Sequence, residues 1–214
     1  MPVSVKIGGA WKTATNVYNK VGGVWKTATD MPVKVGGVWK TGVLIQGAYE
    51  SIATFTGNGS TTTASFTSIP SSYSSLQIRI NSLPVSSSGT VRLRMRVNND
   101  TGANYVRHIL YGDGTSALAS GATALDYAID TAVTSPNTTS PLTAIVDMVD
   151  YTSTSKNKAI KYFSGMDRNG SGTVELGSGL WLSTSAINRL DFYISTGTAF
   201  ATGTSIALYG IKGA

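Results

Sequence analysis

The chain contains no cysteine in its 214 residues. That absence removes disulfides, thiolate nucleophiles and thiolate metal sites at once. Histidine occurs once, as His108, so no pair of imidazoles in one chain can hold a metal, and any Ser-His-Asp arrangement has a single candidate base. Charged residues make up only 13% of the sequence, which excludes the Glu- and Lys-rich composition of solvated helical bundles. No apolar run approaches the roughly 20 residues of a membrane span. A basic segment leading into an apolar run is also missing from the start, so no signal peptide is expected, and synthesis and folding in the cytosol are. Helical periodicity is almost absent, with at most a turn of helix allowed by residues Ser116–Ala124.

What the chain does have is a repeat. Lys6-Ile7-Gly8-Gly9-Ala10-Trp11-Lys12-Thr13 returns fourteen residues later as Lys20-Val21-Gly22-Gly23-Val24-Trp25-Lys26-Thr27, and again as Lys34-Val35-Gly36-Gly37-Val38-Trp39-Lys40-Thr41. A strict period means one small unit used several times. Glycine enters positive φ without strain, and a Gly-Gly pair between strand-like runs predicts a two-residue hairpin turn. In that reading Lys6 faces Trp11, Lys20 faces Trp25 and Lys34 faces Trp39, each pair laying a lysine stem or ammonium on an indole. A second reading keeps the segment extended as a shaft. Fourteen is even, so Val3, Val5, Ile7, Trp11, Val17, Val21, Trp25, Met31, Val33, Val35, Trp39 and Val43 then share one face. The hairpin reading is preferred. In both, a segment of about forty residues cannot supply its own core. Its apolar side chains must pack on something else, and residues 1–47 are assigned to attachment or oligomerisation.

Charge follows the same division. Residues 1–42 carry six lysines against one acid, Asp30; residues 43–214 carry eleven basic groups against ten acidic ones. The basic balance is therefore a property of the repeats. Evenly spaced lysines on exposed strand edges discourage edge-to-edge aggregation, and this explains the pattern better than a nucleic-acid site.

From residue 48 the text becomes short strand-like runs between Ser-, Thr-, Gly- and Asn-rich turns. Predicted strands are Glu50–Thr56, Thr62–Thr67, Leu76–Ser82, Val91–Val97, Tyr105–Tyr111, Ala122–Asp130, Thr143–Tyr151, Ala159–Ser164, Leu176–Ser183, Leu190–Thr196 and Ser205–Ile211. Val91 to Val97 alternates apolar residues with Arg92, Arg94 and Arg96, predicting one buried and one arginine face. The expected fold is all-β: an antiparallel, jelly-roll-like β-sandwich over 48–214, preceded by the short hairpin or shaft segment.

Candidate chemistry is sparse. Asp147 and Asp150 are three apart on one predicted strand and so point to opposite faces. Asp126 and Asp130 share a face but lie about 13 Å apart if extended. Neither spacing suits a glycosidase pair. Asp167-Arg168-Asn169-Gly170-Ser171-Gly172 has the start of a calcium loop, but Ser178 stands where the twelfth-position Glu is needed, so a Gly-rich turn is expected. Tyr111-Gly112-Asp113-Gly114 lacks the Gly-Lys-Ser/Thr of a phosphate loop. His108 lies in a strand-like run and reads as structural or surface. Trp181 has two readings. With Leu180 and Leu182 inside, it faces outward as a receptor or interface contact; otherwise it fills the core.

Several stretches resemble recurring segments of tailed-phage virion structural proteins. They are Ser68-Ile69-Pro70-Ser71-Ser72-Tyr73-Ser74-Ser75-Leu76-Gln77-Ile78-Arg79, Asn99–Tyr105, Leu110–Gly114, Tyr151–Lys158 and the ending Ser205-Ile206-Ala207-Leu208-Tyr209-Gly210-Ile211-Lys212-Gly213. The Lys-Val-Gly-Gly-Val-Trp-Lys units are similar to repeats heading phage fibre and tail-associated proteins. The resemblance implies a non-enzymatic protein on the virion surface, made in the bacterial cytoplasm, with no catalytic residues, metal or cofactor. It implies other virion proteins as partners, self-association as a homotrimer, a host-surface glycan as a ligand, and neither nucleic acid nor membrane insertion. A tail-fibre-like role leads; capsid decoration or cement, or a head or neck fibre, is the alternative.

Overall fold

The computed structural model describes residues 48–85, 90–134, 140–167 and 170–213, together with the backbone of six short strands in the leader. The chain divides into two compact units, Met1–Gly47 and Ala48–Ala214.

In the first unit β1 (Ser4–Ile7) pairs with β2 (Ala10–Thr13), β3 (Tyr18–Val21) with β4 (Val24–Thr27), and β5 (Val33–Val35) with β6 (Val38–Lys40), each as a separate two-stranded antiparallel sheet. The register sets Lys6 opposite Trp11, Lys20 opposite Trp25 and Lys34 opposite Trp39, as the Gly-Gly spacing predicts. The continuous extended shaft is not adopted, because Ile7 pairs directly with Ala10, Val21 with Val24 and Val35 with Val38. Gly8, Gly9, Gly22, Gly23, Gly36 and Gly37 lie outside the described residues, as do the side chains of Lys6, Trp11, Lys20, Trp25, Lys34 and Trp39. A lone two-stranded hairpin is marginal in water.

Among its described residues the second unit holds twelve strands: β7 (Tyr49–Thr56), β8 (Thr63–Phe66), β9 (Ser75–Ser82), β10 (Thr90–Val97), β11 (Tyr105–Gly112), β12 (Ala117–Leu125), β13 (Ile129–Thr134), β14 (Leu142–Val149), β15 (Lys158–Asp167), β16 (Gly172–Trp181), β17 (Leu190–Ile194) and β18 (Ser205–Ile211). All pairings are antiparallel. One sheet runs β13-β10-β17-β8 and the other β12-β11-β16-β15-β14-β9-β18-β7. Eight strands form a jelly roll: β7-β18-β9-β14 in one layer and β8-β17-β10-β13 in the other, the chain crossing between layers as two Greek keys require. The hairpins β11–β12 and β15–β16 are additions that widen the first layer past β14.

The core between the layers follows from alternation. Leu76, Ile78 and Ile80 of β9, Val146 and Met148 of β14, and Ile206 and Leu208 of β18 meet Leu93 and Met95 of β10 and Phe192 and Ile194 of β17, all buried. Each such side chain contributes about 1.5–3 kcal/mol on burial. Val91 to Val97 behaves as read: its apolar residues are buried and Arg92, Arg94 and Arg96 face out.

One part of the reading is corrected. Residues 117–125 form strand β12 rather than a helical turn, and the single predicted strand Ala122–Asp130 is divided between β12 and β13, which lie in different sheets. The Ala-rich text favours helix locally, but pairing with β11 across the Asp113 turn overrides propensity. Asp113 Oδ1 accepts bonds from the Thr115 hydroxyl (2.7 Å) and from the amides of Thr115 and Ser116 (2.9 and 2.8 Å). The Thr115 hydroxyl, then these amides, hold the Asp113 carboxyl down at about 2. Gly114 sits at φ 90°, where a side chain would be strained.

Candidate functional site

The carboxylates considered from sequence do not assemble into a catalytic pair. Asp147 lies on the outer face of β14 and accepts a bond from Gln77 Nε2 at 2.9 Å. Asp150, beyond the strand end, is paired with Lys156 Nζ. That ammonium holds the Asp150 carboxyl below the usual carboxylate range. Asp126 pairs with Arg96, and Asp130 with Arg94 and Arg107. His108 is exposed on the outer face of β11, its ring against Gly121. Asp167 pairs with Gly172 at the end of the β15–β16 ladder, so the chain reverses between them. Arg168 and Asn169 lie outside the described residues. Among the described residues no cluster of three or more His, Asp or Glu side chains could hold a metal. Among the described residues no helix is long and apolar enough to cross a membrane.

Trp181 is corrected from a surface candidate to a core residue. It is 4% exposed, whereas Leu182 is 48% exposed. Its indole N–H donates to Asp100 Oδ2 at 2.7 Å, so the polar end is satisfied by the half-buried connection between β10 and β11. Burial pushes the Asp100 carboxyl up, but bonds from Trp181, the Gly102 amide and Asn104 outweigh it and hold the group below its ordinary value. A side chain enclosed in this way offers no face to a receptor.

A charged cluster whose assembly across the two sheets sequence spacing does not reveal closes the sandwich where the larger sheet overhangs the smaller one. β13 is an edge strand, and its unpaired backbone groups need partners. Arg107 Nη1, from the inner face of β11, donates to the Asp130 carbonyl at 3.2 Å and to its carboxylate at 2.9 Å. The Ala132 amide donates to Glu175 Oε1 at 3.3 Å, and Arg92 Nη1 reaches the same oxygen at 3.3 Å. Arg94 Nε donates to Asp130 Oδ1 at 2.9 Å, its guanidinium 4.0 Å from the Tyr127 ring centre. Asp130 and Glu175 are buried, at 6% and 3% exposure. Each carboxylate of the cluster is held by arginine, Asp130 by Arg94 and Arg107 and Glu175 by Arg92, so the cluster ties an edge strand to the larger sheet, while Arg107 Nε and Glu175 Oε2 stay buried without a partner among the described residues.

The outer face of the larger sheet is the open surface. Register lines up Ile145, Phe163, Leu176 and Leu110 in one row across β14, β15, β16 and β11. They are 43%, 56%, 57% and 55% exposed, on the side of an antiparallel sheet that is ordinarily polar. Arg79 continues the row on β9, opposite Ile145. Its guanidinium lies 5.7 Å from the Tyr49 ring centre and 5.4 Å from that of Tyr209. Arg79 Nε donates to Gln77 Oε1 at 3.2 Å. A groove of ≈ 470 Å³ opens beside it. A second depression, of ≈ 680 Å³, lies among the turn residues Gly112–Gly114 and Gly170–Gly172 at one end of the sheet.

No protein-family model matches the chain, and no match is found among curated proteins or solved structures.

Proposed function

We propose that the protein is a non-enzymatic structural component of a bacteriophage particle, of tail-fibre type. The three hairpins serve as the attachment segment, and the jelly-roll body is displayed for host-surface binding. The observation that carries this reading is the repeat. Three separate two-stranded sheets in register, each with a Lys–Trp pair, make a segment with too little chain for a core of its own. Its stability must come from other subunits, whether virion proteins or sister chains of a homotrimer. The arginine pairing of Asp126, Asp130, Asp191 and Glu175 supports a binding role over catalysis. The likeness of the repeats and of the Ser205–Gly213 ending to virion proteins supports the same class.

A second reading, a capsid decoration or cement protein, is favoured by one feature. The exposed row Ile145-Phe163-Leu176-Leu110 has the character of a surface meant to be covered. In that case the larger sheet seats on the shell.

Removal of residues 1–47 tests the attachment role. Expressed during infection, the tagged full chain is expected to co-purify with particles. The shortened chain is expected to fold, with an unchanged body melting transition, and to be absent from particles. Normal incorporation of the shortened chain would reject the hairpins as the anchor. Absence of the full chain from particles would reject the virion reading. Abundance separates the two roles: a decoration protein is present in high copy and a fibre in few.

A further inference from the structure

We propose that the groove beside Arg79 binds a carboxylate-bearing sugar, such as a uronic or sialic acid unit of a surface polysaccharide. This rests on the host-surface reading above and names the ligand class and the site. The groove runs over β18, β9, β14 and β15. Ile145 and the exposed Phe163 ring form an apolar wall, Tyr209 lies opposite, and Asn81 and Thr143 bring an amide and a hydroxyl to the rim. Among the described residues Arg79 is the one charged residue lining it.

The arrangement matches the parts of an acidic sugar. The C–H face of a pyranose packs on an aromatic ring, its hydroxyls bond amides and hydroxyls, and its carboxylate takes the two-pronged edge of a guanidinium. Arg79 is held ready for this. Two tyrosine rings flank it and Gln77 takes its Nε, so its terminal nitrogens form the edge that meets a carboxylate. Gln77 also donates to Asp147, and no Arg79–carboxylate ion pair exists among the described residues. A positioned cation without an acidic partner, at the side of an apolar wall, is complementary to a ligand that carries the missing acid. The recess is of small-ligand size, about 300–1,000 Å³, whereas a protein partner needs a footprint of about 800 Å² per side.

The test uses the full chain with polygalacturonate oligomers, their methyl esters, N-acetylneuraminic acid and D-glucose, read by saturation-transfer NMR and calorimetry. The acidic sugars are expected to bind, more weakly at raised salt, and the esters and glucose at least about tenfold more weakly. Arg79→Gln and Phe163→Ala are each expected to weaken acid binding about tenfold or more with unchanged thermal unfolding, since both side chains are exposed. Equal binding of acid and ester, wild-type affinity in Arg79→Gln, or no binding of any acidic probe would overturn the proposal. Adhesion of the full chain to bacterial cells separates its failure from that of the broader reading. If both variants adhere like wild type, the groove is wrong and host binding stands. If adhesion is lost on protease treatment of the cells and kept on polysaccharide removal, the partner is a protein and the groove assignment falls. A full chain that neither adheres nor occurs in particles removes the broader reading itself.

Discussion

Asp130→Ala is expected to destabilise the body by about 3–5 kcal/mol, because it strands a buried cation. Arg107 has a side chain only 10% exposed, and both its contacts at this site are to Asp130, one of them to the carboxylate. Arg94 loses its partner in the same step. For a body of this size such a loss lowers the melting temperature by roughly 6–20 °C. Asp130→Asn keeps an acceptor and is expected to cost less. The informative companion is Asp130→Ala combined with Arg107→Met. Replacing both members of a buried pair by apolar groups is often close to neutral, so the double variant is expected to regain stability relative to Asp130→Ala alone. Urea titration of these proteins, with Arg107→Met alone completing the cycle, checks this. A double variant as unstable as the sum of its parts would show that the ion pair does not act as a unit.

Gly179→Ala is expected to be nearly as damaging for a different reason. A methyl group at this position would stand 2.2 Å from the Ala128 carbonyl oxygen and 3.0 Å from its carbon. Those are backbone atoms at the entrance to β13, so no side chain can swing aside. Overpacking of this kind costs about 1–3 kcal/mol, and more where the backbone must move. Gly177 shows the same economy of space: the buried Tyr162 ring fills the volume its side chain would take. Gly165→Ala on β15 is the control, its nearest new neighbour 3.9 Å away, and is expected to stay within about 0.5 kcal/mol of wild type. Thermal unfolding ranks the two. Equal stabilities would mean that β13 does not approach β16 this closely.

The sequence revealed strands wherever alternation and β-branched residues coincide. Ser205–Ile211 is found with the bounds read for it, and the arginine face of β10 is as expected. The hairpins were legible because two glycines at a fixed place leave few alternatives for the chain. Strand β12 was not, since Ala117 to Leu125 carries alanine, serine and glycine and owes its conformation to β11. The direction of Trp181 was undecidable because Leu180 and Leu182 make the opposite face equally apolar. The Arg107–Asp130 pair joins residues of different sheets, 23 apart in sequence, and depends on the overhang of one sheet beyond the other. The outer row is also a product of register. Ile145, Phe163, Leu176 and Leu110 are unremarked in their own strands and become a surface only when four strands are aligned.

Hydrogen exchange of the 214-residue chain, free and within purified particles, reads most directly whether the three hairpins depend on a partner. In the free protein the amides of the Lys6–Trp11, Lys20–Trp25 and Lys34–Trp39 pairs are expected to exchange within seconds, while those of β9 and β14 stay protected near the global stability. In particles the hairpin amides are expected to slow by roughly a hundredfold or more. Hairpin amides as protected in the free monomer as those of β9 would contradict a leader that is completed by another subunit.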